Sequence, residues 1–298
     1  MPAELNSVLK SIFQPIYRNL PLKKEAFQLL KHVWVPPQRI YRHLHFHGIF
    51  QIFIGDSSFQ LRHYGFEFEN AIFWTGLQGD WEGTSMRLWM RLCQCNSVIY
   101  DVGANTGVFS LVAKTINPSA EVHAFEPVRR VYDKLVKNNE LNEFDVHCVS
   151  SALSDGDGKA TIFDQDSDHI YSVTLNKNLS TPGTKVIPVE VDRIRLDQYC
   201  EKGKFAAPTL IKLDVETHEP EVLIGMGDLI KNAKPDFLIE ILNEEVGEKI
   251  EEILGEFGYL YFNIGEAGKI RPQKHLGKSD HWNFLICKPE TAKVLGLI

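Results

Sequence analysis

The sequence predicts an α/β fold: one mostly parallel sheet, closed by an antiparallel C-terminal hairpin and preceded by a mixed helical and β extension. Three observations carry this. From residue 98 to residue 257, apolar runs of strand length alternate with amphipathic helical stretches, which implies right-handed crossovers between parallel neighbours. The first run, Val98-Ile99-Tyr100, ends in Asp101 and passes through Gly103-Ala104-Asn105-Thr106-Gly107 into the apolar-periodic segment Val108 to Ile116, a strand, tight turn and helix. The last two strands, in contrast, are joined by a loop, Gly265 to His281, full of Gly, Lys and Pro and without a helical pattern.

From the amino end, residues 1 to about 40 read as helix broken by Pro15, Pro21, Pro36 and Pro37, with Leu5, Val8, Leu9, Ile12 and Phe13 on one stripe. Such a piece can cover a sheet edge, pair with a second subunit in a homo-oligomer, or form a lid. His47 to Ile54, a turn at Gly55-Asp56-Ser57-Ser58, and Phe59 to Tyr64 make a hairpin. His43, His45 and His47 would share one face of an extended segment. No carboxylate or cysteine nearby completes a metal shell, so a solvated or substrate-facing strand is expected and no metal. Gly76 to Gly83 is a loop leading into the amphipathic helix Thr84 to Leu92. Asp80, Trp81 and Glu82 precede the glycine turn closely enough to fold back over it. The expected division is an extension, residues 1–80, and a main domain, residues 81–298.

In the main domain, strands are expected at 98–102, 121–126 and 145–150, with helices at 107–116 and 128–141. The turn-rich corner Ser154 to Lys159 precedes a short strand, Ala160 to Phe163. The polar stretch Asp164 to Lys185 reads as an insertion with a mobile loop that meets substrate. Val186 to Val191 is a strand, Leu196 to Lys202 a helix, Leu210 to Val215 a strand, and Glu219 to Met226 a helix. Phe237 to Leu242 is a strand, Glu244 to Phe257 a helix, and Tyr259 to Ile264 and Trp282 to Cys287 the closing pair.

Bulk properties narrow the functional classes. Of 298 residues, 44% are hydrophobic and 24% charged, ordinary for a soluble globular chain. A formal charge of −7 argues against a nucleic-acid partner, because phosphate binding needs a basic face. The five cysteines (Cys93, Cys95, Cys148, Cys200 and Cys287) are odd in number and scattered. The Cys93-x-Cys95 pair lacks a second half, so reduced thiols are expected. The first residues lack the apolar core of a signal peptide, and no run approaches the ~18 apolar residues of a membrane helix, so a cytoplasmic location is expected.

Spacing in the glycine turn points to the ligand. A dinucleotide fingerprint demands G-x-G-x-x-G, because a pyrophosphate rests on the helix amino end, and Gly-Ala-Asn-Thr-Gly does not meet it. The next strand, Glu121 to Phe125, runs into Glu126 and Pro127, and an acid at that place accepts hydrogen bonds from both hydroxyls of a ribose. A glycine turn without a diphosphate pattern, plus a ribose-gripping acid, suits a nucleoside with an amino-acid tail: S-adenosylmethionine. Asp214 and Glu216 close the fourth core strand at the same rim as Asp101 and Glu126. Carboxylates so gathered are costly unless they face a cationic or hydroxyl-rich ligand, which a sulfonium with an ammonium tail provides. Glu240 sits inside the apolar run Phe237 to Ile241, where burial should raise its pKa. An antiparallel closing hairpin is the expected end of a Rossmann-like, seven-stranded methyltransferase sheet and not of a dehydrogenase sheet.

The segments DVGANTG, AFEP, SSALSD, IKLDVETHEPEVLIGM, FLIEI and WNFLICKP together resemble the FkbM-type methyltransferases, in the right order and over about residues 80 to 289. The resemblance implies a class I S-adenosylmethionine-dependent enzyme, usually methylating a hydroxyl of a sugar or small natural product. It implies that Asp101, Gly103, Asn105 and Gly107 meet the methionine side of the cofactor and Glu126, followed by Pro127, its ribose. Ser151 and Ala152 would lie near the adenine, Asp214 would face the cofactor's amino group or the acceptor, and Glu82 joins the cofactor set. The family usually has glycine where this chain has Thr217, which could cap the following helix with His218, Glu219 and Pro220 in its first turn.

Methyl transfer to a neutral hydroxyl is helped by a base within hydrogen-bond reach. The candidates are His218 and Glu216, with Asp214 and Glu240 behind them. His218 has the better intrinsic pKa. Carboxylate or nitrogen acceptors, a binding protein without turnover, and a nicotinamide oxidoreductase are the alternatives. The missing glycines and the closing hairpin argue against the last.

Overall fold

The structure is a computed structural model, and it describes residues 22–165 and 186–298. The stripe of Leu5 to Phe13 and residues 166–185 of the polar insertion lie outside the described residues. In the extension, helix α1 (Lys23–Val33) and the single turn α2 (Gln38–Tyr41) are separated at Pro36-Pro37, where two N–H donors are missing. Strands β1 (Gly48–Ile54) and β2 (Ser57–His63) then pair antiparallel, with Ile54 opposite Ser57 around a two-residue Gly55-Asp56 turn. Helix α3 (Glu67–Thr75) follows. Its residues Glu69 to Trp74 are all buried, so it carries no amphipathic period. Helix α4 (Gly83–Cys95) leads into the main sheet.

The central sheet is built from β3 (Val98–Val102), β4 (Glu121–Phe125), β5 (His147–Val149), β9 (Leu210–Leu213) and β10 (Asp236–Glu240), all parallel. Strands β11 (Leu260–Gly265), β12 (Lys269–Gln273) and β13 (Asn283–Cys287) complete it, and the order is β12-β11-β13-β10-β9-β3-β4-β5. The expected parallel sheet with its antiparallel hairpin is therefore present, and β12 is an addition. That strand occupies part of the 265–281 stretch read as a loop, because its mostly exposed residues carry no apolar alternation. Pro272 is tolerated there, since the outer edge of β12 needs no N–H donor. Two short strands, β6 (Ala152–Leu153) and β7 (Gly158–Gln165), join β8 (Val186–Ile194) in a separate three-stranded sheet.

Helices α5 (Val108–Ile116), α6 (Arg129–Leu141), α7 (Leu196–Gly203), α8 (Glu219–Met226), α9 (Asp228–Ala233), α10 (Glu244–Leu254) and α11 (Pro289–Leu295) fill the connections. The sheet faces carry two apolar clusters. One joins Phe50, Leu61 and Trp74 of the extension to Trp89, Leu111 and Val112, and the other packs Tyr100, Ile211 and Phe237 against Val222 and Ile250. Trp89 is fully buried and its indole N–H donates to the Phe109 carbonyl at 2.9 Å, so truncation to Ala should cost about 3–5 kcal/mol.

The extension is also tied to the sheet by amides. Asn142 Oδ1 accepts from Gln60 N at 2.6 Å, and Asn138 Oδ1 accepts from Arg62 N at 3.2 Å. The same Asn138, wholly buried, donates through Nδ2 to the Thr106 carbonyl at 2.8 Å, so one side chain joins the hairpin to the glycine turn. The five cysteines are all free thiols. Among the described residues, no helix is long and apolar enough to cross a membrane.

Candidate active site

The carboxyl ends of β3, β4, β9 and β10 lie side by side, and the turn after β3 forms their floor. Gly103 has φ +80°, and its N–H and that of Ala104 donate to the Phe125 carbonyl at 3.1 and 2.9 Å. A Cβ on Gly103 would come within 1.8 Å of the Asp214 carbonyl oxygen, so close backbone approach across strands dictates glycine here. Asn105 is also left-handed, φ +53°, and its N–H donates to Glu126 Oε2 at 3.1 Å. Glu126 Oε1 accepts from Val128 N at 2.9 Å, so this acid is oriented by main-chain donors on both oxygens.

Above the turn lies a cavity of about 310 Å³. Ten of the sequence-derived residues line it: Glu82, Gly103, Asn105, Glu126, Pro127, Ser151, Ala152, Asp214, Glu216 and His218, and Glu240 joins them. Asp101 and Gly107 do not line it. Asp101 is buried beneath the turn, where its Oδ2 accepts from Ser110 N at 3.0 Å and Ser110 Oγ at 2.6 Å and so anchors the first turn of α5. Gly107 is the residue before α5, at φ +91°, where a side chain would strike Leu135 of α6. Asp80 turns away as well, accepting from the Tyr41 hydroxyl at 2.7 Å, whereas Trp81 and Glu82 do face the cavity. His43 sits in the turn after α2, and His45 and His47 in the non-strand link to β1, so the three do not alternate along a strand. Among the described residues, no group of three His, Cys, Asp or Glu side chains is placed to hold a metal ion.

One cation sits among the acids. Lys212, 4% exposed, alternates with apolar neighbours in β9; its Nζ donates to Asp214 Oδ2 at 2.8 Å and lies 4.5 Å from the centre of the Phe109 ring. Burial alone would lower its pKa, but Asp214, Glu82 and Asp101 outweigh that and hold the ammonium above its usual range. The acids feel the crowding in return. Burial, then Asp214 and Glu216, push Glu240 up to about 10 against the pull of Lys212. Burial also lifts Glu82 to about 7, with Lys212 opposing and Asp214 and Glu266 adding to it. Glu82 Oε2, Asn105 Oδ1 and Thr106 Oγ1 are buried without a hydrogen-bond partner among the described residues, and all three belong to residues lining the cavity.

The loop after β9 departs from the expected cap. Glu216 and Thr217 are both left-handed, φ +55° and +78°, a conformation that favours glycine at Thr217. The residue before α8 is His218, and it makes no side-chain cap. Glu219, the first residue of α8, ties down the preceding loop instead, its carboxylate accepting from Val215 N at 3.1 Å and pushed up to about 8 by burial. His218 Nε2 lies 3.0 Å from Ser154 Oγ, a hydrogen bond, and Nδ1 lies 3.4 Å from Glu221 Oε2, which has no hydrogen-bond partner among the described residues. Burial lowers its pKa, which favours the neutral ring.

Sequence reasoning missed Lys212, Phe68 and the role of Glu266. Lys212 was legible as a charge inside an apolar strand run, where a buried ammonium needs acid partners. Phe68, on α3, stacks near Trp81 at 5.5 Å and lines the cavity, so the extension supplies part of the wall. Glu266, in the β11–β12 turn, accepts from Thr84 N at 2.8 Å and Ser85 Oγ at 2.5 Å, and so holds the first turn of α4 beside the site.

The family model described as the Methyltransferase FkbM domain matches residues 101–261, more than half of the chain. The chain is similar to the hexuronic acid methyltransferase AglP of Haloferax volcanii, 29% identical over 172 residues, covering 57% of this chain and 66% of that one. It is similar to the 31-O-demethyl-FK506 methyltransferase FkbM of Streptomyces tacrolimicus, 28% identical over 155 residues, covering 44% and 60%. The matched stretch thus spans between three-fifths and two-thirds of those relatives' lengths. A solved structure of a SAM-dependent methyltransferase from Agrobacterium tumefaciens is 12% identical, with TM-score 0.45, over 81% of this chain and 70% of that one. On the extent of the family match, this chain belongs to the FkbM methyltransferase family.

Proposed function

We propose that the protein transfers a methyl group from S-adenosylmethionine to a hydroxyl of a sugar or small natural product. The observation that carries this is the cavity wall itself. Five carboxyl groups, Glu82, Glu126, Asp214, Glu216 and Glu240, meet there, and Lys212, the cation among them, is bonded to Asp214. A wall of that charge favours a cationic ligand. The orphaned oxygens of Glu82, Asn105 and Thr106 fit a ligand with ammonium and hydroxyl donors. The names of the relatives, one acting on a hexuronic acid and one on a demethylated natural product, support the acceptor class.

In this reading Glu126 takes the ribose hydroxyls, its carboxylate pre-set by the Asn105 and Val128 N–H groups. Ser151 and Ala152 border the adenine, with Pro127 beside them. Gly103 and Asn105 form the floor under the amino-acid tail, and Glu82 and Asp214 face its ammonium. S-adenosylmethionine supplies a methyl carbon already activated by its sulfonium. The chain then has to orient the acceptor oxygen, exclude water and remove one proton. Trp81 and Phe68 give the cavity an apolar stretch of wall against which water is poorly held.

Calorimetry with S-adenosylhomocysteine tests the cofactor, and a labelled methyl donor with a panel of sugars and polyketides tests the acceptor. Micromolar binding followed by a labelled methyl ether of the acceptor is the expected result. Absence of binding for both forms of the cofactor would sink the proposal, and binding without product from any acceptor would reduce the protein to a binding module.

A further inference from the structure

We infer that Glu240 is the group that takes the acceptor's proton, and that it keeps a proton of its own until a positively charged methyl donor occupies the rim. The inference rests on the methyltransferase reading above. Its basis is the order of the strand ends. Glu126 follows β4, the glycine turn follows β3, Asp214 follows β9, and Glu240 ends β10. A nucleoside held at β4 with its tail over β3 directs its reactive end toward β9 and β10. Glu240 therefore stands on the far side of Asp214 from the ribose-binding acid, where donor and acceptor meet.

Two of the other candidates, His218 and Asp214, already have partners. His218 Nε2 is hydrogen-bonded to Ser154, and its Nδ1 faces the Glu221 carboxylate at 3.4 Å. Lys212 is an ammonium bonded to Asp214, with no lone pair to offer, and Asp214 is its partner. Glu240 faces charge from every side. Lys212 and Asp214 come from β9 and its end, Glu216 from the loop that follows, and Glu82 from the entry to α4. Across β13, Asn283 stands opposite Glu240 and donates to Glu266 at 3.3 Å. With three carboxyls and one ammonium around it, Glu240 is held protonated, its pKa pushed up to about 10, burial being the largest cause. A net positive ligand at the rim offsets those neighbours, lowers that pKa, and expels the proton to solvent. The emptied carboxylate is a stronger base than an exposed one. The balance then closes without further reagents: the acceptor oxygen gains the methyl carbon, its proton passes to Glu240, and the electron pair of the cleaved carbon–sulfur bond stays on sulfur.

Proton release can be read without knowing the acceptor. S-adenosylmethionine and S-adenosylhomocysteine differ by one methyl group and one positive charge. Titration calorimetry of the intact protein at pH 8.5, in two buffers of different ionisation heat, counts protons released on binding. The expected result is release approaching about one proton per site with S-adenosylmethionine and much less with S-adenosylhomocysteine. Glu240→Gln should abolish the difference, and Glu245→Gln, at an exposed carboxyl on α10 outside the cavity, should preserve it. Equal proton counts for the two ligands, or a difference that survives Glu240→Gln, would overturn this inference and leave the methyltransferase reading standing. Failure of both ligands to bind wild-type protein would overturn that reading, and this one with it.

Discussion

The cavity has two halves that treat the same chemical group in opposite ways. On the β3–β4 side, Glu126 accepts from two main-chain N–H groups, and beneath the turn Asp101 accepts from Ser110, so each carboxylate has donors fixed by the backbone. On the β9–β10 side, Asp214, Glu216, Glu240 and Glu82 crowd around Lys212. The carboxylates of the first half have their donors before any ligand arrives, and those of the second are held in a state that a cation would relieve. On the proposed function, position along one sheet edge separates holding the nucleoside from doing the chemistry, although both halves use carboxyl side chains.

The largest expected effect tests the crowded half. Lys212→Met removes the cation from a buried acid cluster and should cost about 3–5 kcal/mol, read from urea unfolding at pH 7.5. Because the Lys212 pKa is raised on folding, the stability from that rise is complete below about 10.5, the ordinary lysine value, and disappears only as pH climbs beyond it. A loss of under about 1 kcal/mol at pH 7.5 would mean the acids tolerate one another without it.

Gly103→Ala probes the point where the halves touch, its side chain directed at the Asp214 carbonyl in a left-handed turn. We expect a loss of about 2–4 kcal/mol together with the loss of S-adenosylhomocysteine binding. Glu126→Ala should cost about 1–3 kcal/mol through the stranded N–H groups of Asn105 and Val128, and weaken that ligand at least about tenfold. Glu240→Gln should move the other way. A carboxyl whose pKa rises on folding costs stability increasingly as pH climbs from about 4.5 toward 10. The variant should therefore melt higher than wild type at pH 8 and match it near pH 4, and a lower melting temperature at pH 8 would break the comparison. His218→Asn is expected to be the mildest, sparing ligand affinity within about threefold, since its ring is hydrogen-bonded to Ser154 and faces Glu221 at 3.4 Å.

How far the sequence speaks depends on which face of an element is buried. The run from Val98 through Gly107 is legible because an apolar strand, two glycines and a periodic helix occur in order, and α8 is legible from Pro220 at its start. Strand β12 and helix α3 are not, one being exposed along its length and the other buried all round, so neither has a period to detect. The site divides similarly. Glycines and strand-end acids announce the cavity, but β3 is buried on both faces, so nothing in its residue pattern says that Asp101 points under the turn. The commitment of His218 to Ser154, 64 residues away, is a tertiary fact that no local pattern encodes.

The Asn138 and Asn142 side chains that meet β2 have a further bearing on how the molecule behaves in a crowded solution. They fill main-chain positions of Gln60 and Arg62 that would otherwise recruit a neighbouring chain by lateral stacking. Replacing Asn142, whose side chain bonds only the hairpin and its own helix among the described residues, would open that flank of the two-stranded ribbon at Gln60, and the cost would surface as precipitation on storage.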